Sequence, residues 1–396
     1  MRYNLQRYVP RQAEKEVRES LRNYPVTAIL GPRQCGKSTL ARQIVADGRE
    51  NVVYLDLERP SDLRKLEDPE FFFQTQQDKL ICIDEVQMGP ELFPILRVVA
   101  DEVNRPGKFL ILGSASQDLI RHGSETLAGR IHYVELTPFT YDELVAEDES
   151  RFGDPLFTWR RGGFPGAVLA VSEVAGMQWR MDFIRTFLER DIPQFGFLIP
   201  AITMRRFWTM LAHYHGQTLN ASKFGQSLGV THPTITRYLD IMEQTFMVRV
   251  LPPMVVNLKK RLVKTPKVYL RDSGILHALL EIDTAEALLG HPVVGASWEG
   301  WCLEQIIVAM PGWRPSFYRT SSGEEIDLIL ERGLTRLAVE CKASMSPKVS
   351  RGFAATLDAL QIDRAWVVAP VPESYPLSSR VTVSTIEDLL IELRNI

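Results

Sequence analysis

The chain has 396 residues, 45% hydrophobic and 24% charged, with a formal net charge of −3. That length allows two or three cored domains, and the near-balanced charge excludes a globally basic nucleic-acid binder, so any phosphate-binding surface must be local. Four cysteines, Cys35, Cys82, Cys302 and Cys341, lie far apart with no CxxC pair, which argues against a disulfide framework or structural zinc and fits a reducing cytoplasm.

In chain order, a helix over residues 14–24 leads into the apolar strand Val26–Leu30. The Gly-rich loop 31–36 follows, then a helix over Lys37–Ala46. Short apolar runs recur at 52–55, 80–83, 109–112 and 133–136, separated by helical text. Buried strands alternating with helices indicate an α/β domain with a parallel sheet covered on both faces. Residues 137–202 read as mainly helical, with a Gly162-Gly163 break. Residues 203–265 change to short helices, a turn and β-rich text. From 266 onward a second α/β region begins, with a hairpin-like pair at 325–330 and 337–342. The expected divisions are therefore 1–136, 137–202, 203–265 and 266–396. No apolar run reaches the ~18 residues a membrane helix needs, and the first residues lack the apolar core of a signal peptide.

Gly31-Pro32-Arg33-Gln34-Cys35-Gly36-Lys37-Ser38 satisfies GxxxxGK[ST] at every fixed position. The two glycines let the backbone curl so that successive N–H groups face phosphate oxygens, and the following helix adds its positive N-terminal dipole. ATP is the expected ligand, held by residues 31–38 and Thr39. Lys37 reaches the β- and γ-phosphates and Ser38 ligates Mg²⁺. A second motif, Leu80-Ile81-Cys82-Ile83-Asp84-Glu85, is a buried strand ending in two carboxylates. Asp84 is expected to hold Mg²⁺ through water and Glu85 to act as general base. The strand at 109–112 ends at Gly113-Ser114. Ligands of an open α/β sheet sit beyond strand C-termini, so Ser114 is expected at the γ-phosphate or the lytic water. Arg121 and Arg130 each suit two roles, a finger completing a neighbouring subunit's site or a surface ion pair.

Several segments together resemble a large, poorly characterised bacterial and archaeal family with an AAA+ ATPase domain and a C-terminal domain of unknown function. They are residues 31–40 (GPRQ-x-GK[ST]-[ST]L), Asp84-Glu85-Val86-Gln87, Gly113-Ser114, residues 124–130 (S-x-x-L-x-GR), residues 162–165 (GG-[FY]-P), Glu189-Arg190-Asp191 and the Lys267–Gly274 stretch (K-V-Y-x-x-D-x-G). The resemblance spans nearly the whole chain and implies ATP binding. AAA+ modules commonly act as rings, so it also implies a homo-oligomer, possibly hexameric, with Arg130 favoured as the finger. Cys35 replaces the small residue of many relatives and is expected to be without consequence, since only the backbone is used there.

Residues 219–228 read as a helix, 229–232 as a turn and 233–246 as a second helix opening with Pro233. Ala221, Phe224, Leu228, Ile235, Leu239 and Met242 form the apolar face, and β-rich 247–256 supplies a wing. This pattern matches a winged helix-turn-helix, with Thr231, Thr234, Thr236 and Arg237 on the exposed side of the second helix. Lys259, Lys260, Arg261, Lys264, Lys267 and Arg271 form a basic stretch with no acidic residue, a footprint suited to DNA phosphates. Winged helices also serve as protein-binding modules, and Asp240 and Glu243 oppose DNA if they face it.

In the last region Asp327 falls in an alternating strand and Glu340-Cys341-Lys342 at the end of another. Residues 340 and 342 share a face, and a hairpin brings Asp327 beside them. Two carboxylates and a lysine can bind Mg²⁺ and position a water, with Glu299 on a preceding helix as a further ligand. The order of acidic helix, Asp, then Glu-x-Lys resembles the PD-(D/E)xK restriction-endonuclease-like fold. It implies Asp327 and Glu340 as metal ligands and Lys342 beside the scissile phosphate. A fold retained for binding alone, or a plain Glu–Lys surface pair, stands beside that reading. Trp298, Trp301, Trp313 and Phe317 are expected in the core.

Overall fold

The computed structural model describes residues 8–46, 51–114, 127–254, 262–350 and 352–396. Arg121, Ser124, Lys259, Lys260 and Arg261, singled out above, lie outside the described residues. The chain divides into two compact units. The first is essentially Met1–Phe139; the second holds most of the remainder, so the helical segment, the helix–turn–helix and the C-terminal sheet fall within one unit.

In the first unit five parallel strands, β1 (Val26–Leu30), β2 (Val52–Asp56), β3 (Leu80–Asp84), β4 (Phe109–Gly113) and β5 (Ile131–Glu135), are ordered β2-β3-β4-β1-β5. Strands β1, β3 and β4 are buried along their whole length, which explains their unbroken apolar text. Their side chains alternate between faces. Ala28, Leu30, Ile81, Ile83 and Ile111 pack with Leu96 and Val99 of the helix Leu92–Val103. Ile29, Cys82, Leu110 and Leu112 pack with Leu40, Ala41 and Ile44 of the helix Lys37–Ala46. A register slip by one residue would exchange the two faces, so this packing fixes the strand ends that carry the site.

In the second unit the helices Ala201–His213, Ala221–Leu228 and His232–Gln244 accompany a small antiparallel sheet ordered β6-β8-β7, with β6 Gln217–Thr218, β7 Val248–Leu251 and β8 Lys267–Leu270. Asn220 caps the second helix by accepting from Lys223 N, and Gly229 ends it in a left-handed conformation, as its Gly-Val-Thr-His turn suggested. Strand β8 lies beyond the expected boundary at 265. A six-stranded mixed sheet follows, ordered β13-β14-β12-β11-β10-β9, built from β9 (Arg314–Arg319), β10 (Glu325–Arg332), β11 (Thr335–Cys341), β12 (Arg364–Val368), β13 (Tyr375–Pro376) and β14 (Val381–Ser384). The hairpin β10–β11 pairs Leu328 with Val339 and Arg332 with Thr335 across a turn at Gly333, whose φ of 61° suits the residue. Trp298, Trp301, Trp313 and Phe317 are all buried. Among the described residues no helix is long and apolar enough to cross a membrane.

Two of the family-like segments meet in this unit. Asp272, buried before the helix Ser273–Leu279, accepts from Ile275 N at 2.8 Å and from Gly163 N at 2.7 Å. Gly162 has φ 74°, and a Cβ there would sit 2.2 Å from Asp272 Oδ1. The Gly-Gly break and the Asp-x-Gly segment are therefore one contact. Replacing Asp272 with Ala removes a helix cap and strands the Gly163 N–H, so Asp272→Ala should lower the unfolding free energy by about 2–4 kcal/mol. A lowered denaturant midpoint with unchanged slope checks this.

Candidate functional site

The phosphate loop sits between β1 and the helix Lys37–Ala46. Gly31 N donates to Gly113 O at 3.3 Å, so the loop begins against the end of β4. A Cβ on Gly31 would lie 2.0 Å from Leu136 O, which only glycine avoids. Gly36 has φ 105° and Gln34 φ 61°; these left-handed residues curl the loop. Lys37 is buried and donates to Gly31 O and Pro32 O, both at 2.9 Å, folding its ammonium over the loop. Ser38 is half-buried and Thr39 exposed.

Behind the loop lies a residue that motif reading passed over. Arg11 is buried and donates to Cys35 O at 2.9 Å, to Thr137 O at 2.6 Å and from Nε to Glu143 at 3.1 Å. It pins one loop carbonyl outward. Cys35 was expected to be indifferent, yet its side chain is fully buried and its thiol donates to Leu136 O at 3.3 Å. The position needs a small side chain that fits this closed space.

Asp84 is buried at the end of β3. It accepts from Tyr54 OH at 2.6 Å and from Glu85 N at 3.1 Å. Burial and this bond raise the Tyr54 phenol above its ordinary pKa, so Tyr54 stays a donor. Glu85 is left-handed, φ 56°, and turns its carboxylate toward Ser114, whose hydroxyl lies 3.3 Å and 3.4 Å from its two oxygens. Gln87 donates to Glu85, and Ser114 N donates to Gln87 Oε1 at 3.4 Å. Gln87 stood in the family-like segment but was assigned no role; it joins the base candidate to the third strand end. Arg130 lies at the start of β5, the sheet edge opposite the phosphate loop, where it pairs with Asp101.

The second constellation assembles as the hairpin predicted, with an addition. Cys341 N donates to Asp327 at 2.9 Å, and Lys342 Nζ donates to Glu340 at 2.6 Å. Lys267, read above as part of a DNA-facing basic stretch, is instead buried here. Its ammonium lies 2.9 Å from Glu299, 2.7 Å from Glu325 and 3.6 Å from Asp327. Tyr269, two residues on in β8, also donates to Glu299. Arg271 is likewise spent, pairing with the buried Glu304 at 3.2 Å alongside Arg249. The phosphate footprint thus loses two of its members, Lys267 on β8 and Arg271 just after it, to inward-facing acids. Lys264 is exposed as expected.

Burial works against the charge of Lys267, but Glu299, Asp327 and Glu325 outweigh it and raise its pKa. Burial first, and then the Asp327 charge, pushes Glu299 up to about 7. The same causes push Glu340 up to about 8 against the pull of Lys342. Among the described residues no group of three or more His, Cys, Asp or Glu side chains is arranged to hold a metal ion. The carboxylates are gathered as expected, but around an ammonium, and do not fit a divalent ion as they stand.

A phosphate loop after β1, an acidic pair after β3 and the strand order β2-β3-β4-β1-β5 define an AAA-type P-loop ATPase. Residues 23–145 match the family model described as AAA domain, 156–286 match Domain of unknown function (DUF8612), and 294–389 match Domain of unknown function (DUF4143). Uncharacterised proteins of Mycobacterium tuberculosis and Mycobacterium bovis are 41% identical to the chain over 380 residues, covering 96% of it and 84% of each relative. The chain belongs to their family, uncharacterised AAA-type ATPases with a C-terminal domain of unknown function. Among solved structures it is similar to a Walker-type ATPase of Pyrococcus abyssi, at 16% identity over 69% of this chain and 96% of that one, TM-score 0.46. It is also similar to the Thermotoga maritima RuvB Holliday junction branch migration motor, at 16% identity over 63% and 92%, TM-score 0.31.

A carboxyl whose folded pKa exceeds its unfolded value, about 4.3 for Glu, carries a stability contribution that is complete below the unfolded value. It is lost as pH rises to the folded one. Glu340→Gln removes that loss. The variant's stability relative to wild type should therefore rise from about pH 5 to about pH 8 and level off. Urea melts across that range check it; a pH-independent difference would show Glu340 ionising like an ordinary carboxylate.

Proposed function

We propose that the protein is an ATP-hydrolysing machine that works with DNA, assembled as a homo-oligomeric ring. The observation that carries the hydrolytic part is the convergence of Gly31, Glu85 and Ser114 at adjoining strand ends. The loop amides and the helix N-terminus bind the phosphates. Lys37 leaves Gly31 O and Pro32 O to meet the β- and γ-phosphates. Ser38 and the Tyr54-oriented Asp84 suit a Mg²⁺ ion, which would neutralise phosphate charge. Glu85 takes a proton from the attacking water on its carboxylate, while Gln87 and Ser114 hold that carboxylate in place. Arg130 serves in trans: it exchanges Asp101 for the γ-phosphate of a neighbouring subunit, so ATP should favour association.

The DNA part rests on the helix–turn–helix followed by strands β7 and β8, a winged-helix order. Its second helix exposes Thr236 and Arg237, with Thr231 exposed at its start. The C-terminal sheet keeps the acidic-helix, Asp, Glu-x-Lys arrangement of a PD-(D/E)xK domain. We read it as a binding domain, not a cutting one, because a lysine occupies the carboxylate cluster.

Lys37→Ala should abolish ATP binding. Glu85→Gln should keep binding and slow turnover by about 10²-fold or more, as loss of a general base does. Equal loss of affinity in both variants, measured by calorimetry, would remove Glu85 from the base role.

ATPase rates with and without single-stranded, duplex and branched DNA test the DNA reading, and at least one form should stimulate turnover. Arg237→Ala should weaken DNA binding and lower its salt slope by about one unit if it contacts phosphate. A rate indifferent to every DNA form would favour an ATP-controlled switch for a protein partner.

A further inference from the structure

We infer that Lys267 is the resident counter-cation of the C-terminal carboxylate cluster and stands where a divalent metal would otherwise sit. The inference deepens the reading of the C-terminal domain as non-cutting and is independent of the DNA reading.

Four carboxylates, Glu299, Glu325, Asp327 and Glu340, come from a helix and two strands of the C-terminal region. Asp327 and Glu340 are buried, and Glu299 and Glu325 are half-buried. Clustered carboxylates repel, and each ionises only if a cation lies among them. The cation comes from outside their sheet. Lys267 is on β8, paired to β6 and β7, and its alkyl chain is fully covered while its ammonium meets three of the four acids. Phe317 lies 5.5 Å below that ammonium, closing its far side with an aromatic face. Each acid also has a further partner: Tyr269 OH on Glu299, Cys341 N on Asp327, Lys342 on Glu340 and Arg319 on Glu325 at 3.5 Å.

A small divalent ion needs ligand oxygens at about 2.0–2.1 Å and near-octahedral space. An ammonium 2.7–3.6 Å from three carboxylates fills that space, and a second cation there would be repelled by it. One acceptor remains open: Glu340 Oε2 is buried without a hydrogen-bond partner. The site is therefore one residue short of a metal centre in an unusual sense, in that removing a side chain should create it.

The test uses nucleotide-free full-length protein and Mn²⁺, followed by electron paramagnetic resonance of free Mn²⁺ and by calorimetry. Wild type, Asp327→Asn, Lys267→Met and the double variant Lys267→Met/Asp327→Asn are compared, with circular dichroism and thermal melts confirming folding. Wild type and Asp327→Asn should titrate alike, since weak Mn²⁺ binding at the phosphate loop is common to both. Lys267→Met should gain one site at least about tenfold tighter than any in wild type, and the double variant should lose it. A wild-type site that Asp327→Asn removes would show lysine and metal coexisting and overturn the inference. So would a folded Lys267→Met protein with no added site. If Lys267→Met does not fold, wild type against Asp327→Asn still decides: a difference refutes the inference and identical titrations support it.

Discussion

Parallel pairing of β1 with β4, and of β4 with β3, is the constraint from which the nucleotide site follows. Parallel strands end at the same sheet edge, so the segments that leave β1, β3 and β4 start side by side. The hydrogen bond from Gly31 N to Gly113 O is a direct product of that register. So is the approach of Glu85 to Ser114, residues 29 apart in sequence. The helices on the two faces hold the register through alternating side chains, and Arg11 and Cys35 then hold the loop from behind. A slip of β4 by one residue would disassemble the site.

The C-terminal cluster obeys a different constraint, the cost of burying charge. Helix Val294–Ala309 brings two carboxylates, the half-buried Glu299 and the buried Glu304, to strands β7 and β8, and each finds cations on or just after those strands: Lys267 for one, Arg249 and Arg271 for the other. Removing the cations from a buried acid would leave it uncompensated, which costs about 3–5 kcal/mol in comparable cases. Lys267 on β8, Arg271 just after it and Arg249 on β7 are therefore committed inward by the acids that face them.

That commitment marks where sequence reading runs out. The phosphate loop, the helix at Lys37–Ala46 and all five strands of the first unit were legible, because local periodicity and glycine placement determine them. The hairpin bringing Asp327 to Glu340 was legible from the alternation of its two strands. Lys267 was not. A basic stretch without acidic neighbours looks solvated, and the acids that capture it lie 32 to 60 residues away. Gln87 and Tyr54 were hidden for the same reason: each acts on a carboxylate presented by tertiary packing. Asp272 and Gly162–Gly163 looked like two separate motifs, 109 residues apart, and are a single contact.

Strand β8 links the parts of the second unit. Its backbone completes the small antiparallel sheet of the helix–turn–helix, pairing Lys267 with Leu251 and with Thr218. Its side chains enter the carboxylate cluster at Lys267 and Tyr269, and Arg271, just after it, joins the Glu304 pair. Asp272, the next residue, caps a helix and anchors Gly163. Six residues, 267 to 272, thus belong at once to a ladder, two buried ion clusters and a helix cap. A backbone shift of β8 by even one residue would reverse which of its side chains face the acids. A ligand that displaced β8 would therefore have to break both the ladder and the charge cluster.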